Sequence, residues 1–262
     1  MILAAGLGTR LKPLTDNRPK ALVELSGRTL LEITLTRLRT FGITEVIINV
    51  HHFADQILAY LKSHNNFGMR IEISPEEVLL DTGGGLKKAA WFFLEDSNRL
   101  DEPFLLHNVD IISNIDLSRM LQFHTENQAL VTLAVQSRET SRYLLFDNHN
   151  QLRGRRIDNK NAVISSEARN LSSPPSRHAR AMNPTSASLH TLAFSGIHII
   201  SPRLLPMLTE EGIFSIIPSY LRLAAQGQKV LAFRADQYYW RDLGRHADLT
   251  QAAQDLQQKV LS

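Results

Sequence analysis

Cysteine is absent from the 262 residues, so no disulfide and no cysteine-based metal site can form, and a reducing compartment is the natural setting. Long hydrophobic runs are missing too. No apolar stretch approaches the roughly 20 residues that cross a bilayer as a helix. The apolar opening, Met1-Ile2-Leu3-Ala4-Ala5, meets Gly6, Gly8 and Arg10 too early for a secretory leader. These absences predict a cytoplasmic protein with no membrane partner. An excess of one charge is also lacking: a net charge of +3 is too small to imply a nucleic-acid partner. Two nucleotide-binding signatures are incomplete. A dinucleotide fingerprint starting at Gly6 and Gly8 needs a third glycine where Leu11 stands, and a P-loop needs Gly-Lys-Ser/Thr, which the chain does not contain.

What is present is ordinary globular material, 43% hydrophobic and 21% charged, enough for one large α/β domain. Apolar, β-branched runs alternate with amphipathic stretches. Strands are predicted at 2–5, 45–50, 70–74, 104–107 and 130–135, and helices at 29–41, 54–62, 84–93 and 117–126. This alternation implies right-handed crossovers and a Rossmann-like three-layer αβα fold with a mostly parallel, mixed sheet. Later strands are expected at 142–146, 194–200 and 230–233, with a closing helix at 247–259. Residues 159–190 contain no aromatic side chain but hold Pro174, Pro175 and Pro184, and are read as a loop insertion. Such a composition cannot bury enough surface to offset its ordering entropy.

The chemistry is concentrated in the first loop. Arg10, Lys12, Arg18 and Lys20 crowd together with Asp16 as the only acid among them. Small Ala4 and Ala5 and flexible Gly6 and Gly8 let a backbone approach a phosphate-rich ligand closely. Arg10 can grip a phosphate through two parallel hydrogen bonds, and Lys20 supplies a compact point charge. Asp110, just past the strand at 104–107, and Asp242, between Trp240 and Gly244, are carboxylates remote in sequence. Either alone reads equally well as a turn aspartate. Together they suit Mg²⁺, a hard ion held by a few oxygens plus substrate phosphates. In open α/β sheets ligands collect at the carboxyl ends of strands, which favours the functional reading of Asp110. His51-His52 is a strand-to-helix turn, since adjacent residues on an extended segment face opposite sides.

The string Gly6-Leu7-Gly8-Thr9-Arg10-Leu11-Lys12-Pro13-Leu14-Thr15, followed by Pro19-Lys20, resembles the opening motif of the sugar-1-phosphate nucleotidyltransferase family. Asp81-Thr82-Gly83-Gly84-Gly85 resembles that family's nucleotide-base loop, and His107-Asn108-Val109-Asp110 its strand-end metal motif. Phe194-Ser195-Gly196-Ile197 looks like its sugar-side segment and Trp240-Arg241-Asp242-Leu243-Gly244 like its second metal motif. Order and spacing match over nearly the whole chain. Short members, such as the N-acetylmuramate 1-phosphate uridylyltransferases and related hexose or heptose enzymes, are the nearest likeness.

The resemblance implies an enzyme that transfers a nucleoside monophosphate from a nucleoside triphosphate (NTP) to a sugar 1-phosphate, with Mg²⁺ as cofactor and pyrophosphate released. It implies one domain over 1–262, with a nucleotide-binding half at 1–135 and a sugar-binding half at 136–262. Arg10, Lys20 and Asp110 carry the catalytic roles, and Asp110 and Asp242 hold the metal. Nucleotide contacts fall on Leu3, Ala4, Ala5, Gly6, Gly8, Thr9, Arg10, Lys20, Asp81, Thr82, Gly83 and Asn108, and sugar contacts on Tyr143, Ser195 and Gly196. A monomer or weak homodimer is expected. The first strand is expected to be short, either lacking residues found in relatives or trimmed, and the short tail after the closing helix leads us to expect no second, acyltransferase domain. Val109 stands where glycine is common, and Arg155-Arg156 lie where the motif alignment ends. The same residues admit a catalytically silent sugar-nucleotide sensor, or a cytidylyltransferase acting on phosphocholine. UTP with an amino sugar is preferred over GTP with a mannose- or heptose-type sugar.

Overall fold

The run Glu45–Val50 carries apolar side chains at Val46, Ile47, Ile48 and Val50, which point to both faces, so it must be covered on two sides, and the fold covers both. The computed structural model describes residues 1–96, 101–157, 163–164 and 189–257. Its strands are β1 (Ile2–Leu3), β2 (Glu24–Leu25), β3 (Arg28–Thr29), β4 (Glu45–Val50), β5 (Arg70–Pro75), β6 (Phe104–Asn108) and β7 (Ile111–Ser113) in the first half. The second half adds β8 (Val131–Gln136), β9 (Arg142–Phe146), β10 (Leu152–Ile157), β11 (Val163–Ile164), β12 (His190–Ile200), β13 (Val230–Arg234) and β14 (Trp240–Asp242). The helices are α1 (Leu30–Thr40), α2 (Ala54–Ser63), α3 (Asp81–Lys88), α4 (Ala90–Leu94), α5 (Leu117–Glu126), α6 (Ile216–Ala225) and α7 (His246–Gln257).

The central sheet runs β11-β10-β9-β12-β6-β1-β4-β5, with β8 also on β12 and β13 on β8. Pairing is parallel through β6-β1-β4-β5 and between β8 and β13, while β12 lies antiparallel to β6, β8 and β9. Alternate side chains of β4 feed opposite layers. Ile47 packs on the face shared with Leu86, Leu204 and Tyr220, whereas Val46, Ile48 and Val50 meet Leu31, Leu35, Ile57 and Met120. A third, smaller cluster joins Leu11, Leu30, Ile112, Leu243 and Leu249 beneath α7. The expected three-layer αβα architecture with a mixed sheet is therefore the one observed. Among the described residues no helix is long and apolar enough to cross a membrane.

Local rules account for the well-read elements. In α1, Thr29 caps the first turn by accepting from the Glu32 N–H, Arg37 and Arg39 sit in the last turn, and Gly42 follows at φ 77°. Several elements depart from expectation. The strand predicted at 2–5 stops at Leu3, because the Ala4 N–H leaves the sheet to donate to Asn49 Oδ1 at 2.7 Å. The helix predicted at 84–93 starts at Asp81 and breaks at Ala89 into α3 and α4. Glycine is a poor helix former, so the sequence pattern hid a first turn that tertiary packing holds in place. β12 begins at His190, four residues before the predicted start, and α7 spans His246–Gln257 within the described residues. The hairpin β2–β3, the ladder β7–β14 and β10 carry too little apolar periodicity, or are too short, to have been read, whereas α6 was missed although Ile216, Tyr220 and Leu223 recur at helical spacing, with Pro218 interrupting its first turn. The predicted insertion at 159–190 lies outside the described residues except for β11, which pairs with β10, and residues 189–190.

Burial of His198 gives the fold a pH signature. Its Nδ1 is hydrogen-bonded to the Tyr220 hydroxyl at 2.9 Å, and desolvation, reinforced by His107, lowers its pKa to about 3. Unfolded, a histidine titrates near 6.5. Between those values the unfolded chain binds the extra proton, so stability falls as pH drops below 6.5 and is recovered above it. Urea unfolding at pH 7.5 and 5.0 should show the wild type losing about 2 kcal/mol more on acidification than His198→Gln. Equal losses would contradict a buried neutral His198.

Candidate active site

A cleft of about 550 Å³ opens at the carboxyl ends of β1, β4 and β6. Its floor is the loop after β1. Gly6 faces open space, with no atom within 4 Å of where a Cβ would stand. Gly8 has φ 64°, and a Cβ there would come within 2.9 Å of Thr15 Cγ2 and 3.1 Å of Lys20 Cβ. Only glycine lets the loop fold back against Lys20. Thr15 Oγ1 ties the turn by donating to the Gly8 carbonyl at 3.0 Å, and Thr9–Leu11 form a single 3₁₀ turn that leaves Arg10 exposed.

Two carboxylates meet at the end of this loop. β7 and β14 pair antiparallel with Asp242 opposite Ile111, and the Leu243 N–H donates to the Asp110 carbonyl at 2.8 Å. The buried Lys20 ammonium forms an ion pair with Asp110 Oδ2. Asp242 Oδ1 is buried with no protein hydrogen-bond partner. Desolvation and then the charge of Asp110 raise the Asp242 pKa, while Lys20 and Arg10 pull it back. Gly244 is the spacer between these groups. A Cβ on it would lie 2.7 Å from Arg10 Nη2 and 2.8 Å from Asp242 Oδ1.

The ladder under the carboxylates is clamped from several sides. Arg37 of α1 donates to the carbonyls of Ser113 and Ile115, and Asn114 Oδ1 accepts from the Tyr239 N–H at 2.7 Å. Burial brings the Arg37 pKa down to about 10, which still leaves it charged at neutral pH. Trp240 Nε1 donates to the Ser195 carbonyl at 2.7 Å, tying β14 to β12.

The opposite wall is built by Asn49 and Glu76, which sequence reasoning missed. Asn49 Nδ2 donates to Glu76 Oε1 at 2.8 Å, and Glu76 Oε2 accepts from the Leu80 N–H at 2.9 Å, at the entry to α3. A polar Asn49 inside the apolar run Glu45–Val50 was the available signal. The three glycines of α3 serve packing. A Cβ on Gly83 would strike the Phe214 ring at 2.3 Å, on Gly84 the Gly212 carbonyl oxygen at 2.5 Å, and on Gly85 Glu76 Oε1 at 2.7 Å. The Gly83 and Gly84 N–H groups both donate to the Phe214 carbonyl.

Of the predicted nucleotide contacts, Leu3, Ala4, Ala5, Gly6, Gly8, Thr9 and Arg10 line the cleft. Lys20, Asp81, Thr82, Asn108 and Asp110 line it as well. Gly83 does not; it lies buried behind Asp81 and Thr82, its N–H already engaged. Asp242 borders the cleft through Gly244. The acceptor side is less convergent. Gly196, at φ 74°, backs onto Asn108, whose Nδ2 is 3.0 Å from where a Cβ would stand. Ser195 is fully buried, with Oγ lacking a protein partner. Tyr143 lies on β9 with the Arg156 guanidinium 4.8 Å from its ring centre. His51 Nδ1 is hydrogen-bonded to the Glu76 carbonyl, and the described residues contain no cluster of three metal-type side chains.

Comparison with known proteins identifies the family and the fold. A family model described as nucleotidyl transferase matches residues 1–259. The N-acetylmuramate alpha-1-phosphate uridylyltransferase of Caulobacter vibrioides is 44% identical over 115 residues, 43% of this chain and 45% of that protein. The mannose-1-phosphate guanyltransferase of Aspergillus fumigatus is 35% identical over 136 residues, 52% of this chain and 36% of that protein. The matched region thus spans less than half the length of each of these relatives. The structure of HddC from Yersinia pseudotuberculosis complexed with GMP-PN superposes with a TM-score of 0.71 at 20% identity, covering 97% of both chains.

The glycine geometry separates two kinds of position. Gly84→Ala should destabilise the protein by about 1–3 kcal/mol in urea unfolding, because a backbone carbonyl cannot move aside cheaply. That outweighs the roughly 1 kcal/mol alanine usually gains over glycine inside a helix. Gly6→Ala should change stability by less than about 0.5 kcal/mol. Equal effects at the two positions would contradict the packing described.

Proposed function

The chain belongs to the nucleotidyl transferase family, and from that premise we propose that it transfers a nucleoside monophosphate from an NTP to a sugar 1-phosphate. The products are a nucleoside diphosphate sugar and pyrophosphate. The observation that carries this reading is the meeting of Asp110 and Asp242 beside Lys20 and Arg10 at the mouth of a glycine-floored cleft. Residues 1–135 would hold the triphosphate and 136–262 the acceptor, within one domain. The reaction belongs to the cytoplasm, where nucleoside triphosphates are made.

An acceptor phosphate oxygen forms a bond to the α-phosphorus while the bond from that phosphorus to the β-phosphate bridging oxygen breaks. No protein nucleophile is needed. Catalysis is positioning plus charge neutralisation. Gly6 and Gly8 keep the loop close to the triphosphate, and Arg10, exposed at the cleft, balances the departing pyrophosphate. Lys20, seated at the α-phosphate end, offsets charge gathering on the equatorial oxygens. Asp110 and Asp242 have the oxygen donors that suit Mg²⁺. A buried, unpartnered Asp242 Oδ1 beside a second carboxylate is a poor arrangement unless a cation joins them. Bound there, Mg²⁺ would supply Lewis-acid neutralisation of the reacting phosphates. The silent-sensor alternative has less support, since binding without chemistry needs neither the carboxylate pair nor the buried Lys20.

A matrix of four triphosphates against several sugar phosphates and phosphocholine, read by pyrophosphate release, tests the proposal. At least one sugar phosphate pair should turn over. Release with phosphocholine alone, or with no pair, would reject it. With the active pair, Lys20→Ala or Arg10→Ala should lower kcat about 10²–10³-fold. Asp110→Asn should raise the Mg²⁺ concentration required for half-maximal rate, and full activity at limiting Mg²⁺ would rule out its metal role.

A further inference from the structure

The connection between β8 and β9 carries Arg138, to which neither motif nor fold assigns a role. Its guanidinium carbon lies 3.7 Å from the centre of the Trp240 ring, and Nη2 donates to the Phe194 carbonyl at 2.7 Å. Trp240 in turn donates to the neighbouring carbonyl of Ser195. The two side chains therefore grip adjacent carbonyls in the stretch of β12 where its register against β8 shifts, between Phe194 and His198. Trp240 and Asp242 are two apart on β14, so their side chains share a face. Arg138 stacked on Trp240 is consequently close enough to Asp242 for the two charges to interact.

Three buried polar atoms around this stack have no protein partner among the described residues: Arg138 Nε, Ser195 Oγ and Asp242 Oδ1. An enclosed guanidinium N–H without an acceptor is a costly thing to keep. Trp240 fixes the plane of the guanidinium, so its remaining donors are held in one orientation. Burial lowers the Arg138 pKa, and the nearby charge of Asp242 works against that shift. Tyr143 also stacks under Arg156, which adds a second cation to the same side of the fold. A planar, pre-oriented cation with spare donors is suited to a phosphate monoester.

We infer that Arg138 is the acceptor-side phosphate ligand: it holds the phosphate of the incoming sugar 1-phosphate, while Arg10 and Lys20 serve the triphosphate. This rests on the transferase reading above. It divides the cations by substrate, and a merely structural Arg138 would not. Trp240 is then a positioning residue, acting through Arg138.

Steady-state kinetics of wild type, Arg138→Met and Arg138→Lys, with acceptor and NTP varied separately, tests the division. Arg138→Met keeps the apolar stem on Trp240 and removes the donors. Its KM for the sugar phosphate should rise about 10- to 100-fold, with KM for the NTP within about twofold of wild type. Arg138→Lys should recover part of the loss, because charge returns without the planar fork. An unchanged acceptor KM, or an equal rise in both KM values, overturns the assignment. If Arg138→Met does not fold, as judged by its thermal transition, Arg138→Lys decides alone. A selective rise in acceptor KM supports the inference and an unselective or absent one rejects it. Wild-type protein that turns over no acceptor rejects the transferase reading itself; an active wild type with a normal Arg138→Met rejects only the role of Arg138.

Discussion

Two short strands, β7 and β14, pair so that Asp110 and Asp242 come together, and the rest of the site is arranged around that juxtaposition. Carboxylates facing each other in a partly enclosed site repel, and burial removes the water that would otherwise screen them. The raised pKa of Asp242 is the signature of that strain. Protonation of one carboxylate or added positive charge relieves it, and the site supplies positive charge. Lys20 answers Asp110 directly, Arg10 approaches across Gly244, and a divalent ion with phosphate oxygens would complete the balance. Loosening the ladder would separate the carboxylates, and it is held by Arg37 from α1, by the Tyr239–Asn114 link beside the strands, and by Trp240 tying β14 to β12.

Glycine serves two different ends around the cleft. At Gly6 the missing side chain leaves room that nothing in the protein fills, and at Gly8 it permits a left-handed turn against Lys20. At Gly83, Gly84 and Gly85 the absent Cβ admits other parts of the same chain: Phe214, the Gly212 carbonyl and Glu76. The glycine-rich start of α3 therefore joins the segment before α6 to the wall of the cleft. Its cleft-lining members are Asp81 and Thr82.

Much of the first half was legible because its strands are long, apolar and separated by amphipathic helices. The Thr29 cap, the Glu45–Val50 run and the loop from Gly6 to Lys20 each carry a local cause that sequence exposes. What escaped was set by tertiary context. A three-residue strand such as β14 has no periodicity to read, and its partner β7 is equally short. Gly83 looked like a backbone contact for a ligand, yet its N–H is engaged by Phe214. Arg138 was invisible because stacking on Trp240 joins residues far apart in the chain, and nothing in the local pattern around it distinguishes it from a surface arginine. Ser195 and Gly196 were singled out by motif alone; their geometry places them behind Asn108 and beneath Trp240.

The dependence of the site on the β7–β14 pairing can be measured without turnover. Mn²⁺ binding, followed by electron paramagnetic resonance in the presence of a non-hydrolysable triphosphate, reports directly on the carboxylate pair. Wild-type protein should bind one tight Mn²⁺, and Asp242→Asn should weaken it about 10- to 100-fold. Equal Mn²⁺ affinity in the two proteins would contradict a shared metal site and leave Asp242 a structural residue of the ladder.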